Sequence, residues 1–567
     1  MPGKMIKRPS GSAGSKVVAL RRGNLVKKLF PLSGAQALNR ILELREPEKA
    51  VRSLAKTDFF WLVKKIGEED AYPLMRMATV EQWQYVLDIE LWQRDRLNLV
   101  QTSQWLKRLL QADPARLAKW LSKEGEYLSF FYFFKNLEVR VKTEEDDYDL
   151  PGDFITFDNT YFFKVKDKAN EQMIINILQL LASEDYARFQ SLLLNLAGVL
   201  PAELEEEMYR LRNVRLAEEG FLPYEEAISV YAYINPDSLI KPDKAGKVEL
   251  PEPEDEMLPV PLSPLTCAAQ DNFLAQCTAH IHDSMLVDRI RIEFAGLCNQ
   301  ILSADNVVVD SIDTLVKVFR KAAGYVDIGL EKLSRGNLRI AEEILRHNSV
   351  FSVFRAGFSL ALELKWEAER WVKSAWFTRQ GLGPDFWGDE WGGMLSGLLE
   401  KRPRIFKMAD GEEGFRDFEN ISEINSCRQI IKRLAILDKL LASLASISPL
   451  EKEWAQEPVF TFGELVFTFW ARARLGLEAL FAPISLPELK GLFRKLRSGE
   501  KKPPYQMGTY KSIFIKDMIS RVSGLEPEAA QLLEETLALL WDKFVDEYAW
   551  VGTDDIDKRY VKFILVE

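Results

Sequence analysis

Arg210, Arg212, Asn213 and Arg215 gather three guanidiniums and an amide within six residues. A guanidinium presents a planar fork of donors that suits a carboxylate or a phosphate. Arg212 and Arg215 share a helical face at i and i+3, whereas Arg210 and Arg212 do not. Glu218, Glu219, Glu225 and Glu226 follow closely, so the expected role is a set of ion pairs fixing a helix–turn–helix corner. An anion or acidic-peptide site is the functional alternative. Trp387, Asp389, Glu390 and Trp391 form a second grouping, inside a Gly-rich stretch from Gly383 to Gly393. Two indoles beside carboxylates suit a cationic or sugar-like ligand. The structural expectation is a loop that starts a helix, with Asp389 capping the turn before Met394, Leu395 and Leu398. Lys490, Arg494, Lys495, Arg497, Lys501 and Lys502 are a third grouping, interleaved with Leu489, Leu492, Phe493 and Leu496. That pattern predicts a basic amphipathic helix, solvated over a core contact; RNA, a membrane surface or an acidic protein would be its partner if it binds.

Metal and nucleotide chemistry find little support. Cys277 and His280 lie at i and i+3, but His282 points elsewhere on a regular helix and Cys298 lies several turns further on. The remaining histidine is His347, so imidazole acid–base chemistry has few places to occur. Gly11–Lys16 superficially suggests a phosphate loop, without GxxxxGK[ST] spacing or a preceding strand. No GxSxG, HExxH or calcium-loop pattern occurs. No metal and no cofactor is expected. The four cysteines form no CxxC pair, which fits a reducing compartment.

These groupings sit in a chain of 567 residues, 47% hydrophobic and 28% charged, with a formal net charge of −10. That balance is globular, and the acidic excess argues against nucleic acid as the default ligand. Fourteen Trp and 33 Phe supply large side chains for burial. No run approaches the ~18 apolar residues of a membrane helix. Residues 1–33, which carry Lys4, Lys7, Arg8, Lys16, Arg21, Arg22, Lys27 and Lys28, are expected to be a disordered basic arm. Residues 34–141 read as a series of short helices, with starts at Thr57-Asp58, Glu68-Glu69-Asp70, Thr79 (capping box with Gln82) and Asp113-Pro114. Helices of about ten residues must stack on neighbours to be stable. Residues 142–241 hold a predicted β-hairpin, Phe154–Phe157 and Tyr161–Val165 around Asp158-Asn159, followed by helices over 171–196, 202–219 and 223–232. The Pro-rich acidic stretch 242–264 is expected to be a linker. Residues 265–567 read as helical, over 272–301, 311–323, 326–334, 338–346, 350–374, 421–446, 461–480 (Thr461 and Glu464 at capping-box spacing) and 527–548.

The run Leu54–Ala71 resembles the short-helix repeats of the cytosolic N-domain of magnesium channels and of flagellar rotor switch proteins. No motif for the channel domain's metal-binding acids aligns here. Gly329–Leu345 resembles part of a tetratricopeptide-like hairpin. The whole chain is similar to an uncharacterised bacterial family known as a domain of unknown function of about this length, best over Glu205–Ala232 and Trp83–Asp95. That likeness implies a bacterial source and supplies no activity. The expected class is mainly α: stacked short-helix repeats, superhelical or solenoid-like, with one small β-hairpin insertion and a second, all-helical half. The expected function is a non-catalytic interaction or scaffold protein of the cytoplasm whose partner is another protein. The alternatives are an enzyme with an Asp/Glu/Arg site between the two halves, and a nucleic-acid or acidic-surface binder acting through 490–502.

Overall fold

The computed structural model describes residues 25–142, 152–199, 203–239, 259–268, 271–409, 412–450, 460–498, 500 and 502–567. The chain forms two compact units, Met1–Ala356 and Gly357–Glu567. It is mainly α with small antiparallel β insertions. Among the described residues, no helix is long and apolar enough to cross a membrane.

Local signals place several helices as expected. Thr79 and Gln82 form a reciprocal capping box at the start of Val80–Glu90, and Asp113 caps Pro114–Leu121 by accepting from the Arg116 amide. Val350–Ser374 and Pro527–Tyr548 match the periodicity at both ends. Other expected helices are interrupted where a polar residue caps a new turn. Asp185 splits 171–196 into Glu171–Glu184 and Tyr186–Leu196. The expected 272–301 helix stops at His280, and Asp283 caps the start of Ser284–Ala304. Conversely, Ile312–Ser334 runs unbroken through Gly324.

Folded chain begins earlier than the expected arm allows. Val26 and Leu29 are buried, the Phe30 ring lies 6.4 Å from that of Trp61, and Lys65 donates to the Phe30 carbonyl. The cations before residue 25, and Gly11–Lys16, lie outside the described residues. So do residues 242–258 of the proline-rich stretch. Its last residues are core: Leu262, Ser263 and Pro264 are buried, and a helix starts at Ser263.

The predicted hairpin is present as Ile155–Thr156 and Tyr161–Val165, with Ile155 opposite Phe163. Asp158 accepts from the Thr160 and Tyr161 amides in the turn. A third strand, Leu137–Val141, completes this sheet. Two further pairs correct the expectation of one hairpin. Trp92–Gln93 pairs with Arg96–Leu97 across Arg94, which takes φ 59°, a left-handed conformation that composition does not signal for arginine. Ile405–Ala409 pairs with Glu412–Arg416, so the second half is not all-helical. The Gly-rich stretch expected as a loop is instead a short turn, Pro384–Trp387, and a helix, Gly388–Leu399. Its glycines serve close approach: a Cβ at Gly392 would lie 2.6 Å from the Pro384 carbonyl oxygen, and one at Gly393 2.6 Å from the Phe406 ring.

Candidate functional site

Perturbed ionisable groups are the usual markers of catalysis. Among the described residues, three buried aspartates with raised values are engaged in holding backbone, and a buried glutamate is paired with a lysine. Asp58, 2% exposed, accepts from the Leu262 amide at 2.9 and 3.0 Å and from the Ser263 amide at 2.7 Å. It was expected to cap its own helix and instead caps one about 200 residues away. Burial pushes its carboxyl up to about 6. Asp327 accepts from the Leu274 amide at 2.7 Å, and burial pushes it up to about 6. Asp438 accepts from the Trp376 and Phe377 amides at 2.7 and 3.0 Å and is also raised by burial. Glu90, pushed up to about 7 by burial, lies 2.8 Å from the buried Lys64 ammonium. Lys64 also pairs with Glu68, which pairs in turn with Arg108. The acids at 68 and 69, expected as helix-start signals, thus serve this ion cluster.

The arginine grouping lies on Leu204–Ala217, but its forks are occupied. Arg210 is exposed and bidentate to Glu207 at 2.7 and 2.6 Å. Arg215 is bidentate to Asp88, both contacts 2.7 Å. Arg212 donates to the Asp88 carbonyl and to Asn213 Oδ1, and its guanidinium sits 5.8 Å from the Trp92 ring centre. The arginines form ion pairs, but with Glu207 on their own helix and with Asp88 rather than with the glutamates that follow, so the expected helix–turn–helix corner is not what they fix. Arg212 and Arg215 face the end of the Val80–Glu90 helix, while Glu219 pairs with Lys56. A cavity of about 230 Å³ opens beside Arg215, walled by Trp92, Trp120, Lys123 and Tyr127.

In the second unit, Leu486–Leu496 is the amphipathic helix the pattern predicts, with Leu489, Leu492, Phe493 and Leu496 buried. Arg494 and Lys495 are exposed. Arg497 is 5% exposed; it donates to the Tyr548 carbonyl and Thr553 Oγ1, and lies 4.8 Å from the Phe493 ring centre and 4.2 Å from that of Tyr505. Lys490 donates to the Asp554 carbonyl. Lys501 lies outside the described residues. Arg497→Ala should therefore cost about 2–4 kcal/mol, through lost packing and unpaired buried acceptors. The Arg494→Ala/Lys495→Ala pair should stay within about 0.5 kcal/mol. Thermal unfolding of the three chains checks the contrast.

The tryptophan grouping lines a cavity of about 280 Å³ in the second unit. Trp391 stacks on Phe462 with ring centres 5.5 Å apart and planes at 20°, and Trp387 meets the same ring at 5.3 Å. Asp389 and Glu390 are exposed in the first turn of Gly388–Leu399, where acids suit the helix dipole; neither caps it. Glu390 Oε2 lies 2.7 Å from Lys543 Nζ, which sits 5.4 Å from the Trp391 ring centre. Thr461, Gly463 and Glu464 supply another wall, with Glu464 accepting from the Thr461 amide in the expected capping box. Leu540, Lys562 and Phe563 complete the lining. Phe563 has φ 65°, a strained conformation for a bulky residue. The Thr461/Glu464 spacing marked one helix start; nothing in the sequence joined it to Trp391 or to Lys543.

Cys277 is buried on Phe273–His280, while His282 lies beyond that helix with its ring 6.2 Å from that of His280. Among the described residues, no group of three His, Cys, Asp or Glu side chains is placed to hold a metal ion. A family model described as a family of unknown function (DUF6178) matches residues 15–567. No curated protein and no solved structure matches the chain.

Proposed function

Because the chain belongs to that family of unknown function, we propose from its own geometry that it is a non-catalytic helical interaction protein, seating a side chain of a partner protein in the cavity beside Trp391. The observation that carries the reading is this cavity: about 280 Å³, with Trp387, Trp391, Phe462 and Phe563 in its walls and paired charges at its edge. Aromatic walls with few polar groups are the usual anchor site for a partner's side chain. The enzyme alternative is weakened because Asp58, Asp327, Asp438 and Glu90 are each engaged by backbone amides or by Lys64. The four cysteines are free and buried, which suits the reducing bacterial cytoplasm as the place of action.

Filling the cavity tests the reading without cutting into the core. A Cβ at Gly463 would make only ordinary contacts, the nearest 3.4 Å away on Phe563, and a methionine there has the flexibility to occupy the space. Wild type and Gly463→Met, matched in circular dichroism and melting temperature, are compared as baits in extract of the source cells. A protein retained by wild type at near-stoichiometric amount should fall at least tenfold with Gly463→Met and persist with Arg494→Ala/Lys495→Ala. Equal retention by all three baits would reject the cavity as the contact.

A further inference from the structure

The edge of this cavity already holds an ammonium. Lys543 Nζ lies 2.7 Å from Glu390 Oε2 and 5.4 Å from the centre of the Trp391 ring. A carboxylate and an indole around one cation is the arrangement that binds alkylammonium groups. Neither member of the ion pair is committed to the core, the Lys543 side chain being 42% exposed and that of Glu390 60% exposed, whereas Trp391 is buried and fixed against Phe462. An exposed ion pair is worth little on its own, so the seat is open to exchange. Beside it lies the aromatic cavity, whose volume of about 280 Å³ is lined by Trp387, Phe462, Leu540 and Phe563.

We infer that the cavity recognises a lysine side chain of the partner protein, its stem against the aromatic walls and its ammonium on Glu390 and Trp391, and that Lys543 is the internal occupant it displaces. The inference rests on the reading of the cavity as a partner-binding site. Lys543 has the chemistry of the group it gives way to: a primary ammonium on an aliphatic stem. Its length and its attachment at Pro527–Tyr548 keep it at the edge, leaving the cavity volume to the incoming stem. Displacement removes one ammonium and installs another, so no unpaired charge is created at Glu390.

The test uses the full chain labelled with 5-fluorotryptophan, the Trp391 fluorine resonance being assigned by its loss in Trp391→Phe. The probes are n-butylammonium and, as its neutral counterpart, n-butanol. In wild type, n-butylammonium should shift the Trp391 resonance saturably and n-butanol should shift it at least tenfold less effectively. Lys543→Gln should tighten n-butylammonium by about fivefold, as expected for releasing a competitor seated about four-fifths of the time. Glu390→Gln should abolish the preference for the cation. Both substitutions are at exposed positions, so the fold is retained. If n-butanol binds as well as n-butylammonium, the lysine inference falls while the cavity remains a partner site. If Lys543→Gln leaves n-butylammonium unchanged or weaker, displacement is wrong. If neither probe shifts Trp391 in any chain, the inference falls as a whole, and the Gly463→Met bait comparison decides separately whether the interaction reading stands.

Discussion

Asp58→Ala lowers the stability of the first unit by about 2–6 kcal/mol, the cost of stripping two buried amides of their acceptor. The carboxylate receives the amides of Leu262 and Ser263, and alanine leaves both donors buried without an acceptor, at about 1–3 kcal/mol each. Native-state hydrogen exchange locates the effect: those two amides should lose protection before the rest of the unit. Asp58→Asn should keep part of the bonding and remove the titration. The sign follows from the upward shift. A folded-state value of about 6, above the unfolded value, means the native state holds its proton more tightly. Acidification from about pH 6 to pH 4 then adds stability through Asp58, opposite to a salt-bridged carboxylate. Asp327, also raised to about 6, acts in the same sense. Wild type minus Asp58→Asn, measured as unfolding free energy across pH 4–7, should grow more favourable to wild type as pH falls. A difference independent of pH would contradict the burial argument.

Phe467→Ala is the matching test in the second unit and should cost about 3–5 kcal/mol. Phe467 is fully buried and stacks on Phe544 at 4.7 Å and on Phe514 at 4.8 Å, with Trp541 at 6.3 Å and Phe563 edge-on at 5.6 Å. Removing the ring opens a cavity where helices Phe462–Leu475, Gly508–Ile519 and Pro527–Tyr548 meet. Phe563 also loses a support for its positive φ. The C-terminal segment, held by the Leu565 amide donating to Thr468 Oγ1, should exchange faster in the variant than in wild type. Denaturant unfolding gives the size of the loss. A cost below about 1.5 kcal/mol would show that the cluster re-forms around the gap.

What the sequence discloses about this molecule is local. Capping boxes at Thr79/Gln82 and Thr461/Glu464 and the periodicity of Pro527–Tyr548 are read within a few residues, and they are present in the fold. Trp387, Asp389, Glu390 and Trp391 are likewise neighbours in sequence, and they line one cavity. What escapes is pairing at long range. Asp58 reads as a local cap because aspartate near a helix start usually is one; its true partners are separated from it by most of the first unit. Arg215 reads toward the glutamates that follow it, yet its fork closes on Asp88, 127 residues earlier. Half of the candidate cavity is hidden likewise, since Lys543 and Phe563 carry no signal that they belong beside Trp391. The Gly-rich stretch misleads differently: Gly392 and Gly393 permit close packing of a helix, whereas composition suggests a loop.

Two kinds of side chain are distinguished here, those that stabilise the inside of each unit and those proposed to meet a partner, and one paired measurement tests that separation. Melting temperature and partner retention are determined for wild type, Asp58→Asn and Gly463→Met, each at a temperature where all three are folded. Asp58→Asn should lower the melting temperature and leave retention unchanged, while Gly463→Met should keep the melting temperature within a few degrees and lose the partner. Loss of the partner with Asp58→Asn in a folded chain, together with full retention by Gly463→Met, would contradict the account.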